Sequence, residues 1–149
     1  MFRKGQAAME FLMTYGWAIL VVLAAIGALA YFGVLSPDRF LPEKCTLPSG
    51  MACLDFRWDS ALTQFDLVIQ NSGGFDMNTM SVNLTPTGGT LGACTADTLA
   101  SLPDGQQNQF AVACTGTTSG KFKANLVVEY TNAQTGLAHT KVGELIAKV

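Results

Sequence analysis

Two hydrophobic regimes divide this chain. From Phe11 to Leu35 no side chain is charged, and Trp17 through Phe32 is almost wholly Ala, Ile, Leu, Val and Gly. A helix that is apolar on every face has no solvent side, and at about 1.5 Å per residue this one covers the roughly 30 Å hydrocarbon core of a bilayer. Its expected bounds are 6–36, because Ser36-Pro37-Asp38 closes it: proline cannot continue the backbone ladder and disfavours helix in the residue before it. Residues 37–50 read as a connector with Pro42 and Cys45. From about Met51 the period changes to two, most clearly where Phe122, Ala124, Leu126, Val128 and Tyr130 alternate with Lys121, Lys123, Asn125 and Glu129.

Phe65, Leu67 and Ile69 make a shorter example of the same alternation. Strands are expected at 51–58, 64–70, 79–85, 90–95, 109–114, 121–131 and 137–147. Turns fit at Asn71-Ser72-Gly73-Gly74, Gly88-Gly89, Pro103-Asp104-Gly105 and Ser119-Gly120, where glycine supplies positive φ. About seven short strands in roughly 100 residues predict one antiparallel β-sandwich, residues 51–149, behind the long apolar helix. The fold class is therefore α+β.

Arg3-Lys4-Gly5 and then Glu10 precede the apolar run. An ionised carboxylate costs about 2.5–3.5 kcal/mol on membrane-insertion scales, so Glu10 requires a reason. Three readings compete. In an ordinary secretory signal, Ala28-Leu29-Ala30 would supply the cleavage site, but the apolar stretch exceeds the usual 7–15 residues and Glu10 interrupts it. A plain membrane anchor with a globular domain outside explains the apolar run and its basic flank, and leaves Glu10 and Gly5 as accidents.

The third reading is a resemblance. Arg3-Lys4-Gly5 followed by Gln6-Ala7-Ala8-Met9-Glu10-Phe11-Leu12 resembles the class III signal peptide of archaeal type IV pilins. The likeness covers about the first 35 residues. It implies that a prepilin peptidase removes residues 1–5 by cutting between Gly5 and Gln6, leaving the apolar helix on the mature protein. Gly120–Val149 resembles the terminal hairpin of archaeal pilin β-domains through the Tyr130-Thr131-Asn132-Ala133 turn region and the strand from Thr140. The family implies a helical homopolymer, an assembly ATPase, a polytopic membrane platform protein, and a path from membrane-resident precursor to extracellular surface filament; fold analogy alone ranks adhesion or surface attachment above motility as its role. The archaellum, a related filament, uses subunits of the same plan.

Cleavage would expose an α-amino group on Gln6, whose pKa of about 8 keeps it mostly cationic at neutral pH. Glu10 then gains a partner through a charge-assisted bond, and the first turns of a helix already favour a carboxylate. Gln6 and Glu10 on one rigid helix are staggered by about 6 Å, so the amine is expected from a neighbouring copy. Ala24, Gly27 and Ala28, at i, i+3 and i+4, together with Gly16, suggest close helix neighbours. Ordinary membrane-helix composition explains the same residues.

Cys45, Cys53, Cys94 and Cys114 fit a disulfide framework outside the cytoplasm. Three connectivities are open; loop length favours Cys45 with Cys53 and Cys94 with Cys114. A zinc site is disfavoured by a single histidine and the lack of any C-x-x-C pair, and neither metal nor cofactor is expected. Nine Lys/Arg against eleven Asp/Glu give −2, and removal of Arg3 and Lys4 leaves 7 − 11 = −4. There is no basic stripe of the kind that tracks nucleic-acid phosphates. Asn83-Leu84-Thr85 is a glycosylation sequon. His139 has no nucleophile or metal partner near it in sequence, while Asp55, Asp59, Asp97 and Asp104 read as turn caps. No enzyme is expected. The alternative to a polymer is a membrane-anchored β-domain that binds a ligand and stays solitary.

Overall fold

A computed structural model describes residues 3–33, 42–116 and 119–149. The chain divides into two compact units, Met1–Leu41 and Pro42–Val149. The first holds one helix, α1, Arg3–Tyr31. It ends earlier than its proline-based boundary predicts. Phe32 N–H donates to Ala28 O at 2.9 Å, Gly33 N–H to Ala30 O at 3.1 Å, and Gly33 has a φ of 70°. A left-handed glycine after the last turn is a common helix stop, and the sequence carries it three residues before Ser36. The Ser36-Pro37-Asp38 closure and residues 37–41 of the connector lie outside the described residues.

The second unit contains nine strands: β1 Lys44–Thr46, β2 Met51–Asp59, β3 Gln64–Asn71, β4 Met77–Gly88, β5 Leu91–Thr95, β6 Asp97–Leu102, β7 Gln107–Gly116, β8 Lys121–Asn132 and β9 Ala138–Lys148. They form a five-stranded sheet ordered β1-β9-β8-β4-β6 and a four-stranded sheet ordered β2-β3-β7-β5, with antiparallel pairing throughout. The antiparallel α+β architecture expected from periodicity is thus present, with β1 and β6 added to the seven expected strands. β4 begins two residues before its expected start, across a bulge between Asn78 and Ser81 where Thr79 takes a φ of 47°.

Period-two alternation fills the space between the sheets. Phe122, Ala124, Leu126 and Val128 of β8 are fully buried, as are Phe65, Leu67 and Ile69 of β3 and Phe110 and Val112 of β7. Phe65 stacks on Phe122 at 5.2 Å between ring centroids, and Trp58 packs on Phe65 at 4.7 Å. Each such side chain contributes roughly 1.5–3 kcal/mol by burial.

Covalent and polar ties hold the sheets to one another. Cys45 of β1 bonds to Cys53 of β2 and so bridges the two sheets, while Cys94 and Cys114 bond as direct cross-strand partners on β5 and β7. These are the pairs that short loop closure favours. β1 seats against β9 at Gly143, where an added Cβ would drive into the Thr46 carbonyl; glycine inside a strand often marks such a close approach.

Asn71 is fully buried at the end of β3. Its amide donates to Phe75 O at 2.8 Å and to Leu102 O at 3.0 Å, and its Oδ1 accepts from Gly73 N–H at 3.0 Å. One side chain therefore joins the β3–β4 turn to the end of β6. Asn71→Ala takes the amide donor from the buried Leu102 carbonyl and the part-buried Phe75 carbonyl and is expected to cost about 3 kcal/mol, whereas Gln70→Ala next to it is expected to cost under about 1 kcal/mol. Denaturant unfolding of the two variants against the parent checks this ordering.

Candidate functional site

The surface of α1 is the first candidate. Gly5–Tyr31 is long and apolar enough to cross a membrane, with a mean hydropathy of 2.1. Its large side chains are exposed, Trp17 at 69%, Leu20 at 67% and Met13 at 80%. A lone helix cannot bury its own circumference, so these side chains call for a surrounding of lipid or of other helices. Phe11, Tyr15, Ala18, Ile19, Val22 and Leu23 line one bulky strip, on which the Phe11 and Tyr15 rings meet at 4.7 Å.

Glu10 lies on the other side of the helix. Glu10, Thr14, Trp17, Val21, Ala24 and Ala28 follow one another at alternating steps of four and three, which is one stripe of an α-helix. Among the described residues the Glu10 carboxylate has no ion-pair partner; its backbone carbonyl accepts from Thr14 Oγ1 at 2.8 Å. Gln6, one turn earlier, is exposed like Glu10. The Gly5–Gln6 bond expected to be cut falls inside the first turns of α1.

The four small residues singled out by spacing occupy two faces. Ala24 and Ala28 share the Glu10 stripe. Gly16 and Gly27 are eleven residues apart, close to three full turns, and lie about a quarter turn from Ala28. A Cβ added at Gly16 or Gly27 would meet nothing within 4 Å. Each glycine costs about 1 kcal/mol of helix propensity relative to alanine, and neither is required by a close contact in the described chain.

The second candidate lies on the outer face of the four-stranded sheet. The register sets Arg57 of β2 directly opposite Asp66 of β3. Arg57 Nη2 donates to Asp66 Oδ2 at 2.6 Å, and Gln64 Nε2 donates to Asp66 Oδ1 at 2.8 Å. The Asp66 side chain is 10% exposed and that of Arg57 70% exposed. Together with Asp55, Phe56, Val68 and Gln109 they line an open cleft of about 220 Å³. Both Asp66 oxygens already have partners, and among the described residues no group of three or more His, Cys, Asp or Glu could hold a metal ion.

Other residues flagged by sequence are spread over the β unit. Asp59 Oδ1 accepts from Ala61 and Leu62 N–H, capping the β2–β3 turn. Asp97 accepts from Thr98 N–H through Oδ1 and from Ala111 N–H through Oδ2, tying β6 to β7. Asp104 Oδ1 accepts from Gly74 N–H, and Asp55 Oδ1 from Phe56 N–H. His139 is exposed and stacks on Tyr130 at 5.4 Å. Asn83 sits half-buried in the middle of β4 with its Oδ1 accepting from Leu84 N–H, whereas a sequon in use is expected in a surface loop.

The chain matches no protein-family model and no curated protein.

The Arg57 hydrogen bond holds the Asp66 carboxyl below the ordinary aspartate range; burial opposes this and the Gln64 bond reinforces it. Since the folded carboxyl titrates below the unfolded one, the pair's stabilisation is complete above the unfolded value of about 4 and is lost as pH falls through the lower folded value. The stability gap between the parent and Asp66→Asn is therefore expected to be full at neutral pH and to narrow progressively below about pH 4. Unfolding midpoints measured across that range check the sign.

Proposed function

We propose that this chain is the structural subunit of an extracellular filament built on the archaeal type IV pilin plan. It is made with a leader ending at Gly5, stored in the membrane through α1, and polymerised so that α1 helices form the core and β units the coat. The observation that carries this reading is a 27-residue apolar helix bearing a single carboxylate, Glu10, five residues after Gly5. Helix bundling supplies the apolar surroundings that α1 needs, and the liberated amine of Gln6 on a neighbouring copy supplies the counter-charge. Adhesion or surface attachment is the role we assign to the filament, by analogy of fold alone.

Gly16 and Gly27 favour this reading over a solitary anchor. Lipid does not select glycine over alanine for fit, whereas a neighbouring helix gains dispersion contacts when two backbones approach closely. The two glycines would then face one neighbour and the Glu10 stripe another. A filament core, in which every helix is surrounded by copies, makes use of both faces at once. The archaellum and the solitary binding module share the helix; the second gives the glycines no role.

Three experiments test the assignment. Intact-mass analysis of the native protein is expected to find a chain beginning at Gln6; one that retains Arg3 and Lys4 removes the liberated amine from the account. Glu10→Gln, at equal protein level, is expected to lower filament yield about tenfold or more, since a buried amine left without its acid is costly. Gly27→Leu is expected to leave the unfolding midpoint of the β unit unchanged and to abolish filaments seen by electron microscopy. Normal filaments from both variants would refute the packing scheme.

A further inference from the structure

Charge is sorted along the strands of the β unit. Lys44 of β1 and Lys123 of β8 both pair with Ile146 of β9, and Lys121 pairs with Lys148. Direct cross-strand partners share a face, so all four lysines lie on the outer face of the five-stranded sheet, at one end. Ile146 is only 2% exposed although it stands outside the main core, and its direct partners on the two neighbouring strands are both lysines. At this end of the face one carboxylate is present among the described residues, Glu144, which accepts from Lys44 at 2.5 Å and lies 3.6 Å from Lys123; Glu129 lies farther along the same face, opposite Thr140. Glu43 precedes Lys44 at the alternate position.

This end of the face thus carries 4 − 1 = +3, while the unit from Pro42 to Val149 holds six Lys/Arg and nine Asp/Glu, or −3. Everything else in the unit sums to 2 − 8 = −6. The opposite end is acidic: Asp76 and Asp104 sit in the β3–β4 and β6–β7 turns, and Asp76 Oδ1 accepts from Asp104 N–H. The chain enters the unit at Pro42, two residues before Lys44, so the tether from α1 arrives at the basic end.

We propose that the Lys44, Lys121, Lys123 and Lys148 face rests on anionic lipid headgroups while the protein is anchored in the membrane. This rests on membrane residence of α1 and is independent of polymerisation. A basic end is drawn to an anionic bilayer and an acidic end is repelled, so the pair sets an orientation as well as an attraction. Exposed charges act over about one Debye length, roughly 10 Å, which requires the lysines to be at the surface and not merely above it. The tether raises the effective concentration of this end at the bilayer without any further contact. Lipid fits the patch better than the acidic end of another copy, because the tether delivers the patch to the bilayer before any copy has docked.

The full chain reconstituted into vesicles of neutral phosphatidylcholine, or of phosphatidylcholine with phosphatidylglycerol, is treated with an amine-acylating reagent and each lysine is followed by mass spectrometry. Lys141, which pairs with the inward-facing Val128, is the internal reference. The expected result is acylation of the four lysines slowed about threefold or more relative to Lys141 in anionic vesicles only, and restored in about 1 M salt. Equal rates in both lipids, with α1 resistant to alkaline extraction, overturn the inference and leave membrane residence standing. Slowing in neutral vesicles that grows with the protein-to-lipid ratio assigns the patch to another copy and also overturns it. Protein extracted by alkali from both vesicle types counts against membrane residence itself, and the inference falls with it.

Discussion

An α-helix that is apolar around its whole circumference has to be enclosed by something other than water, and most of the first unit follows from that. α1 carries no polar face that a soluble fold could turn outward, so its choices are hydrocarbon or the sides of other helices. Either surrounding is low in dielectric, which gives Glu10 its weight: a carboxylate there is expensive when alone and useful when met by an amine. The packing role proposed for Gly16 and Gly27 rests on the same enclosure, since in an apolar medium helices are held by closeness of approach more than by the expulsion of water.

The β unit obeys the opposite rule and meets its needs internally. Its two sheets enclose Phe65, Leu67, Ile69, Phe110, Phe122 and Leu126 with essentially no exposure. The ends, where a sandwich would otherwise fray, are tied by Cys45–Cys53, by the three bonds of the Asn71 side chain, and by Asp97 reaching from β6 to β7. A unit closed in this way can keep its shape whether it stands above a bilayer or on the outside of an assembly. Its outer faces are then free to differ, and they do: a bridged Arg57–Asp66 pair on one sheet, a lysine-rich end on the other.

Much of this architecture was legible because burial on one face imposes period two. Phe122 to Tyr130 announced β8, and Phe65 to Ile69 announced β3, since every second residue had to be apolar. β1 and β6 left no such trace. β1 is three residues long and fixed by its pairing with β9, about 100 residues away in sequence, as well as by the Cys45 bridge; the signal that could have revealed it was Gly143, a glycine inside a strand. β6 fully buries only Leu102, so its alternation is nearly silent. Asn71 could be read as a turn residue but not as a tie from its turn to the end of β6, because its partner Leu102 is set by topology. The Arg57–Asp66 pair and the lysine end likewise arise from register between strands, which one sequence does not display.

The Cys45–Cys53 bridge has a mechanical meaning as well. A pull transmitted through the connector reaches the β unit at Pro42 and would unzip β1 from β9 one residue at a time. Three residues on, the load meets sulfur and divides, part to the five-stranded sheet through Cys45 and part to the four-stranded sheet through Cys53. Peeling is thereby halted at Cys45, and separating β1 any further also has to disturb β2 in the other layer. A domain wired in this fashion is suited to bearing tension delivered from its tethered end.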